Sequence, residues 1–324
     1  MADNSKFTLN PQPGPQTQFL KAEQKFVFMG GGAGGGKALR NDQRVLTPSG
    51  WVAIGDVKKG DLIVTPKNTI EHVTGVFPQG KVPLYKVVFA DGREVISCGE
   101  HLWYGAFGRY APKGSLGTKT TSEIAAATTS SSFFQVPTCE PIDKRLRTQA
   151  LPMDSYTLGC LIGDGNMTHK HVCLSTSDPE MVEEIRSRGY KVEKWPSGKF
   201  EYGFYGTQDA LRELGLMGCN SHTKFIPDVY KNASVEDRLE LIRGLIDTDG
   251  YVDKRSRIEY YSSNERLCRD FQEVIWSLGG SAIVSYKPAI CNGEKFDSYR
   301  VRVKFGDGSQ LCRLSRKKER TCWK

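Results

Sequence analysis

The sequence predicts a multi-domain protein: a short glycine-loop segment, then an all-β module, then an α+β domain with pseudo-two-fold internal symmetry. Three observations carry that prediction. Short alternating runs with turn residues fill residues 38–150, a helical period returns from about Leu151, and one unusual helical design occurs twice in that second region. At 324 residues the chain is long enough for two or three separate cores.

Composition narrows the function classes. The 45 Lys+Arg against 37 Asp+Glu give a net charge of +8, which suits a polyanionic partner. The nine cysteines show no even framework and no C-x-x-C, and Met1 to Leu9 is polar rather than a secretory signal. No apolar run approaches the roughly 20 residues of a membrane span. The expected compartment is a reducing cytoplasm, with no membrane partner.

Residues 1–37 begin polar and proline-containing, then reach Lys25-Phe-Val-Phe-Met29, which reads as a buried strand. It runs into Gly30-Gly-Gly-Ala-Gly-Gly-Gly-Lys37. Gly31, Gly36 and Lys37 spell G-x-x-x-x-G-K, the loop whose amides cradle phosphates and whose lysine reaches the outer ones. A Ser or Thr normally follows to hold magnesium, but Ala38 stands there. A flexible glycine linker is the alternative. With Pro15-Gln-Thr-Gln-Phe-Leu20, the loop resembles the start of the large terminase subunit of tailed phages, an ATPase that packages DNA. The resemblance stops at Lys37, which makes residues 1–37 an expected N-extein fragment of a phage gene expressed in a bacterial host.

From Ala38 to about residue 150 the runs Arg44-Val-Leu-Thr47, Trp51-Val-Ala-Ile54, Asp61-Leu-Ile-Val64 and Tyr85-Lys-Val-Val-Phe89 read as strands, and Asp91-Gly92 marks a hairpin. Thr47-Pro-Ser-Gly-Trp-Val-Ala-Ile-Gly-Asp-Val-Lys-Lys-Gly-Asp-Leu-Ile-Val64 and Asp91-Gly-Arg-Glu-Val-Ile-Ser-Cys-Gly-Glu-His101 resemble the first two sequence blocks of an intein, an all-β Hint-type splicing module. That resemblance makes His101 the residue that strains or protonates the scissile amide; Cys98 replaces the family's usual threonine. An intein inserted after Lys37 gives two oddities one cause, because excision would join Lys37 to the missing Ser or Thr.

Ala38 lacks the nucleophile that most inteins begin with. The resemblance leaves three readings: attack by the downstream extein residue, attack by an internal cysteine, or a splicing-dead alanine. Trp103, two residues after His101, favours the internal-cysteine class, against a simple packed tryptophan. The sequence ends Arg316-Lys-Lys-Glu-Arg-Thr-Cys-Trp-Lys324, without a His-Asn terminus. Residues 313–324 are therefore expected to begin a truncated C-terminal splicing region, from a shortened reading frame or a split pair with a separate C-terminal fragment. Splicing by this chain alone is not expected.

Residues 151–312 carry the repeated design, Thr157-Leu-Gly-Cys-Leu-Ile-Gly-Asp-Gly165 and Ile242-Arg-Gly-Leu-Ile-Asp-Thr-Asp-Gly250. A glycine inside a helix costs roughly 1 kcal/mol relative to alanine. Two at matching positions imply that the helices approach each other closely. Such a crossing would bring Asp164 and Asp249 together at helix C-termini, where the dipole disfavours bare anions and a divalent cation is the natural third party. A strand and a helix follow each acid, so the region reads as an internal duplication. Ser234 with Asp237 should cap the second motif helix, Pro179 suits a first turn, and Leu267, Phe271, Val274, Ile275 and Leu278 share a core face ending at Gly279.

The paired motif resembles the LAGLIDADG (DOD-type) homing endonucleases. It implies a monomeric nuclease with two pseudo-symmetric halves that hydrolyses double-stranded DNA at the intein-free allele, with Mg²⁺ held by Asp164 and Asp249. Ser221-His-Thr-Lys-Phe-Ile-Pro227 is similar to a family segment whose lysine, here Lys224, positions or activates the attacking water. Alternation in Tyr299-Arg-Val-Arg-Val-Lys-Phe305 puts Arg300, Arg302 and Lys304 on one strand face, suited to phosphates and guanine edges. Lys254, Arg255 and Arg257 add charge at a turn. Two other classes compete: an ATP-driven packaging motor, of which only the first strand and loop are present, and a DNA-binding relic that no longer cuts.

Overall fold

The computed structural model describes residues 29–30, 39–78, 80–108, 116–129, 132–142, 150–168, 171–196, 198–291 and 293–321. The expectations for Gly31, Gly36, Lys37 and Ala38 lie outside these residues. The chain divides into two compact units, Met1–Pro137 and Thr138–Lys324.

Antiparallel hairpins dominate the first unit. Arg44–Thr47 pairs with Gly50–Ala53, Leu62–Val64 with Ile70–His72, and Leu84–Val88 with Glu94–Cys98. The last hairpin turns at Asp91-Gly92, where Gly92 takes φ +88°, a conformation that favours glycine. Leu102–Phe107 pairs with both Gly117–Thr120 and Phe134–Gln135. A small core forms from Val57, Ile63 and Val73. The all-β expectation overlooked one helix, Thr121–Ala127. Its signal is in the sequence: Thr120 and Glu123 form a reciprocal capping box ahead of an alanine-rich run.

The second unit contains two copies of one design. Each copy starts with a motif helix, Ser155–Asp164 or Val235–Asp249, which passes directly into an edge strand. In the first sheet the strand order is Gly165–Asn166, Val172–Ser175, Glu201–Tyr205, Lys191–Lys194; in the second it is Gly250–Val252, Ile258–Ser262, Tyr299–Lys304, Ser281–Tyr286. All pairings are antiparallel and the order is the same in both. A helix, Pro179–Ser187 or Glu265–Ser277, separates the second strand of each copy from the third. The duplication read from two short motifs thus extends through the topology of residues 155–205 and 235–304. The second copy also carries an extra hairpin, Ala289–Cys291 with Glu294–Phe296.

Local chemistry sets the helix ends. Asp154, Ser234 and Asn264 accept from the amides of Thr157, Asp237 and Leu267. Leu267, Phe271, Val274, Ile275 and Leu278 are buried, and Gly279 ends that helix at φ +81°. The two motif helices cross where the sequence placed its glycines. A Cβ on Gly159 would lie 2.3 Å from the Leu241 carbonyl oxygen, and one on Gly244 would lie 2.3 Å from that of Tyr156. An ion network locks the outer side of the crossing. Arg188 binds Asp154, Glu184 and Glu240, and Glu240 also receives Arg243 and Arg313. Burial alone would raise the Glu240 carboxyl, yet the hydrogen bonds from Arg313 and Arg243 hold it down at about 2.

The second unit begins earlier and runs later than the sequence boundaries of 151 and 312. The Ile142 amide donates to Ser277, and buried Arg238 donates to the Ile142 and Ser277 carbonyls. Beyond residue 312, the Arg313 and Leu314 amides bind Asp247, and the helix Ser315–Thr321 continues in the same unit. Buried hydrogen-bond partners, rather than an apolar period, hold these flanks.

The crossing makes a sharp mutational prediction. Glycine-to-alanine in an ordinary helix stabilises by up to about 1 kcal/mol. Gly244→Ala and Gly159→Ala should instead destabilise by about 2 kcal/mol or more, because the backbone carbonyl cannot yield. Urea midpoints measure this; a gain in stability for either variant would contradict the crossing.

Candidate active site

Asp164 and Asp249 are the last residues of the two crossed helices. Gly165 and Gly250 follow in extended backbone, φ −77° and −86°, so no left-handed turn requires glycine there. The need is for space: a Cβ would sit 2.3 Å from the Leu161 oxygen at Gly165 and 2.4 Å from the Ile246 oxygen at Gly250. The chain thus leaves each helix sharply into its edge strand and brings both carboxylates to one cavity of about 260 Å³, which Lys224, Ser221 and Ser262 also line.

The electrostatics follow from that placement. Burial first, and then the charge of Asp164, raise the Asp249 carboxyl to about 7 against the pull of Lys224 and Lys317. Asp164 is also raised, again chiefly by burial, with Lys224 and Lys317 opposing. Burial and charge account for both shifts, and among the described residues no hydrogen-bond donor contributes to either. Two half-buried, undonated carboxylates at negative helix ends are a poor arrangement for bare anions and a good one for a hard divalent cation. Among the described residues no third His, Cys, Asp or Glu joins them. That suits Mg²⁺, which commonly takes one or two carboxylates and completes its shell with water and phosphate oxygens.

Lys224 is 5% exposed, and its ammonium donates to the carbonyls of Gly163 at 2.8 Å and Gly165 at 2.7 Å. It thereby satisfies orphan carbonyls at the end of the first motif helix. Lys317, which the sequence reading missed, does the same for the second. Its ammonium donates to Ile246, to Asp247 at 2.8 Å and to Gly250 at 2.7 Å. Burial lowers both lysines to about 8 against the pull of nearby carboxylates. Lys317 escaped detection because the extra hairpin at 289–296 lengthens the interval from acid to lysine in the second half. The signal that could have found it is the duplication itself, which demands a partner for Lys224.

The basic strand lies as alternation predicted. Val301 and Val303 enter the core, Arg302 and Lys304 are exposed, and Arg300 is half-buried against Glu259 at 3.4 Å. Lys254, Arg255 and Arg257 are exposed on the turn between the first two strands of the second sheet. Asp253 organises that turn by accepting from the Arg255 and Arg257 amides, and Ser256 adopts φ +59°.

The remaining candidates belong to the first unit and form a separate group. Cys98 is buried at a strand end, and its carbonyl accepts from the His101 amide at 3.2 Å. The His101 and Trp103 rings meet edge to face with centroids 5.1 Å apart, and the Trp103 indole donates to the Thr121 hydroxyl at 2.9 Å. Leu39 bridges to Ser97 and the Arg40 amide donates to Ile96 at 2.9 Å. Leu39 and Arg40 thus lie on the strand that leads to Cys98.

A pH dependence follows from the Asp249 shift. Without metal the folded protein holds a proton on Asp249 up to about pH 7, whereas the unfolded chain releases it near pH 4. The folded state therefore binds more protons across that window, and its stability falls as pH rises through it. Asp249→Asn should flatten the decline, raising the thermal midpoint relative to wild type at pH 8 but not at pH 4 when both are measured in EDTA. Parallel pH curves for the two proteins would contradict the shift.

Comparison with known proteins adds to this geometry. Residues 236–316 match the LAGLIDADG-like domain family. The replicative DNA helicase DnaB of Mycobacterium intracellulare is 30% identical over 305 residues, covering 88% of this chain and 50% of the relative. Its counterpart from Rhodothermus marinus is 24% identical over 263 residues, covering 72% of this chain and 26% of the relative. The chain spans half the length, or less, of these curated relatives. A match over 88% of the chain is too long to be confined to either unit. The stretch that matches the LAGLIDADG-like domain family lies wholly within the second unit.

Proposed function

We propose that this chain is an intein-borne homing endonuclease that makes a Mg²⁺-dependent double-strand cut in DNA at the intein-free allele of its host gene. The observation that carries the reading is the pair of undonated aspartates sharing one cavity at a glycine-mediated helix crossing. Asp164 and Asp249 would hold the metal, which when bound supplies charge neutralisation for the phosphodiester and a more acidic water. Lys224, with a pKa near 8, offers a cation to a developing phosphate charge or an amine able to take a proton. Lys317 fixes the second helix end as Lys224 fixes the first. Arg300, Arg302, Lys304, Lys254, Arg255 and Arg257 supply the surface for the DNA backbone and bases.

The first unit is, in the same proposal, the N-terminal part of a splicing module. The pairing of Leu39 with Ser97, the residue before Cys98, supports it. Apolar Leu84, Tyr85 and Val88 are exposed on the hairpin that ends at Cys98, a surface that further strands of such a module would cover. The glycine loop at 30–37 would be the interrupted phosphate loop of the host protein. Its resemblance points to a phage terminase, and the relatives named above are helicases.

Incubating the purified chain and Mg²⁺ with DNA carrying the uninterrupted host gene tests the central activity. A double-strand cut near the phosphate-loop codons is expected, and Asp164→Asn or Asp249→Asn should each slow it at least about 100-fold. Lys224→Met should slow it by about 10- to 100-fold with little effect on DNA affinity. Cutting that survives either aspartate substitution would overturn the assignment.

A further inference from the structure

The two halves of the second unit share a topology but not a charge, and their registers allow position-by-position comparison. In the first sheet Gly165 pairs with Leu174 and Leu174 with Tyr202; in the second Gly250 pairs with Tyr260 and Tyr260 with Val301. Tyr202 and Val301 are therefore equivalent, and the flanking residues fall into step. Glu201, Gly203 and Tyr205 stand where the second sheet has Arg300, Arg302 and Lys304.

The neighbouring strands widen the contrast. On the face away from the core, the first sheet carries Lys191, which is occupied by Glu193 at 3.3 Å and by the Tyr205 ring at 5.0 Å. Gly203 lies under the Trp195 indole, where a Cβ would meet the ring nitrogen at 2.3 Å. In the second sheet the register puts Glu259 opposite Arg302, but its ion pair is with Arg300, and it also accepts from the Tyr261 hydroxyl. Arg302 and Lys304 remain exposed. One strand face thus has an excess of cations and the other an excess of acids.

We propose that this protein holds the two halves of its DNA site by different chemistry. The second sheet anchors its half through phosphate neutralisation and bidentate arginine contacts to guanine. The first sheet's strand face adds no net phosphate neutralisation. It reads its half through Glu193 and Glu201, which accept from cytosine amino groups, and through the apolar surfaces of Trp195 and Tyr205. The inference rests on the endonuclease reading, and its consequence is that the anchored half keeps hold of DNA at salt concentrations that free the other.

Fluorescence anisotropy on the full chain, with a duplex carrying the uninterrupted host-gene sequence and Ca²⁺ in place of Mg²⁺, gives the salt dependence of binding. The paired substitution Arg302→Ala with Lys304→Ala should reduce the log–log salt slope by about 2, at roughly 0.9 per lost phosphate contact. Lys191→Ala should leave the slope unchanged, and Glu193→Gln with Glu201→Gln should tighten binding while weakening discrimination against cytosine substitutions in one half-site. Footprinting of the wild type at rising salt should lose protection on one half first, and the Arg302/Lys304 variant should lose the other half as well. All these positions except Glu201 are exposed, and matching thermal midpoints confirm folding. Equal slopes lost from Lys191→Ala and from the paired variant, or simultaneous loss of both footprints, would overturn the asymmetry while leaving the endonuclease reading intact. Failure to bind the duplex at all would overturn both.

Discussion

Backbone-to-backbone contact between two helices is the constraint on which the rest of the second unit depends. Gly159 and Gly244 remove the side chains that would otherwise hold the helices apart, and each lies against a carbonyl of the other helix. Helices separated by larger side chains pack with axes about 8–10 Å apart. Here backbone lies against backbone, and the terminal acids of both helices line one cavity. The intrinsic penalty of two helical glycines, roughly 1 kcal/mol each, is offset by the surrounding core of Tyr156, Leu158, Leu161, Ile242, Leu245 and Ile246, all essentially inaccessible.

The same convergence concentrates negative charge. Two helix C-termini and two carboxylates meet with little solvent, which explains why Asp249 is raised to about 7 and why two lysines are buried nearby. Lys224 and Lys317 spend their hydrogen bonds on helix-end carbonyls rather than on the carboxylates. The acids therefore remain available. A scaffold that neutralised them by salt bridges would be more stable and would have no vacant coordination to offer a metal.

Much of this was legible in the sequence because it depends on local pattern. The glycine and acid positions, the Val301/Val303 against Arg302/Lys304 alternation, and the core stripe of the helix at 265–277 follow from periods of 3.6 and 2. What was not legible is tertiary. Nothing near Lys317 marks it, since its role comes from carbonyls some 70 residues earlier, and the basic run Arg316-Lys-Lys-Glu-Arg320 reads as surface. The attachment of residues 138–142 depends on the buried guanidinium of Arg238, another long-range pairing. The helix at 121–127, which the all-β expectation overlooked, did carry a local signal in Thr120 and Glu123.

Anomalous diffraction from crystals of the full chain soaked in Mn²⁺ tests the core of the account most directly, since manganese accepts the same oxygen ligands as magnesium. The account predicts density within about 2.2 Å of carboxylate oxygens from both Asp164 and Asp249, lost in the Asp249→Asn protein. Density that touches one carboxylate alone, or sits elsewhere on the molecule, would contradict the claim that the crossing exists to make these two residues share a metal.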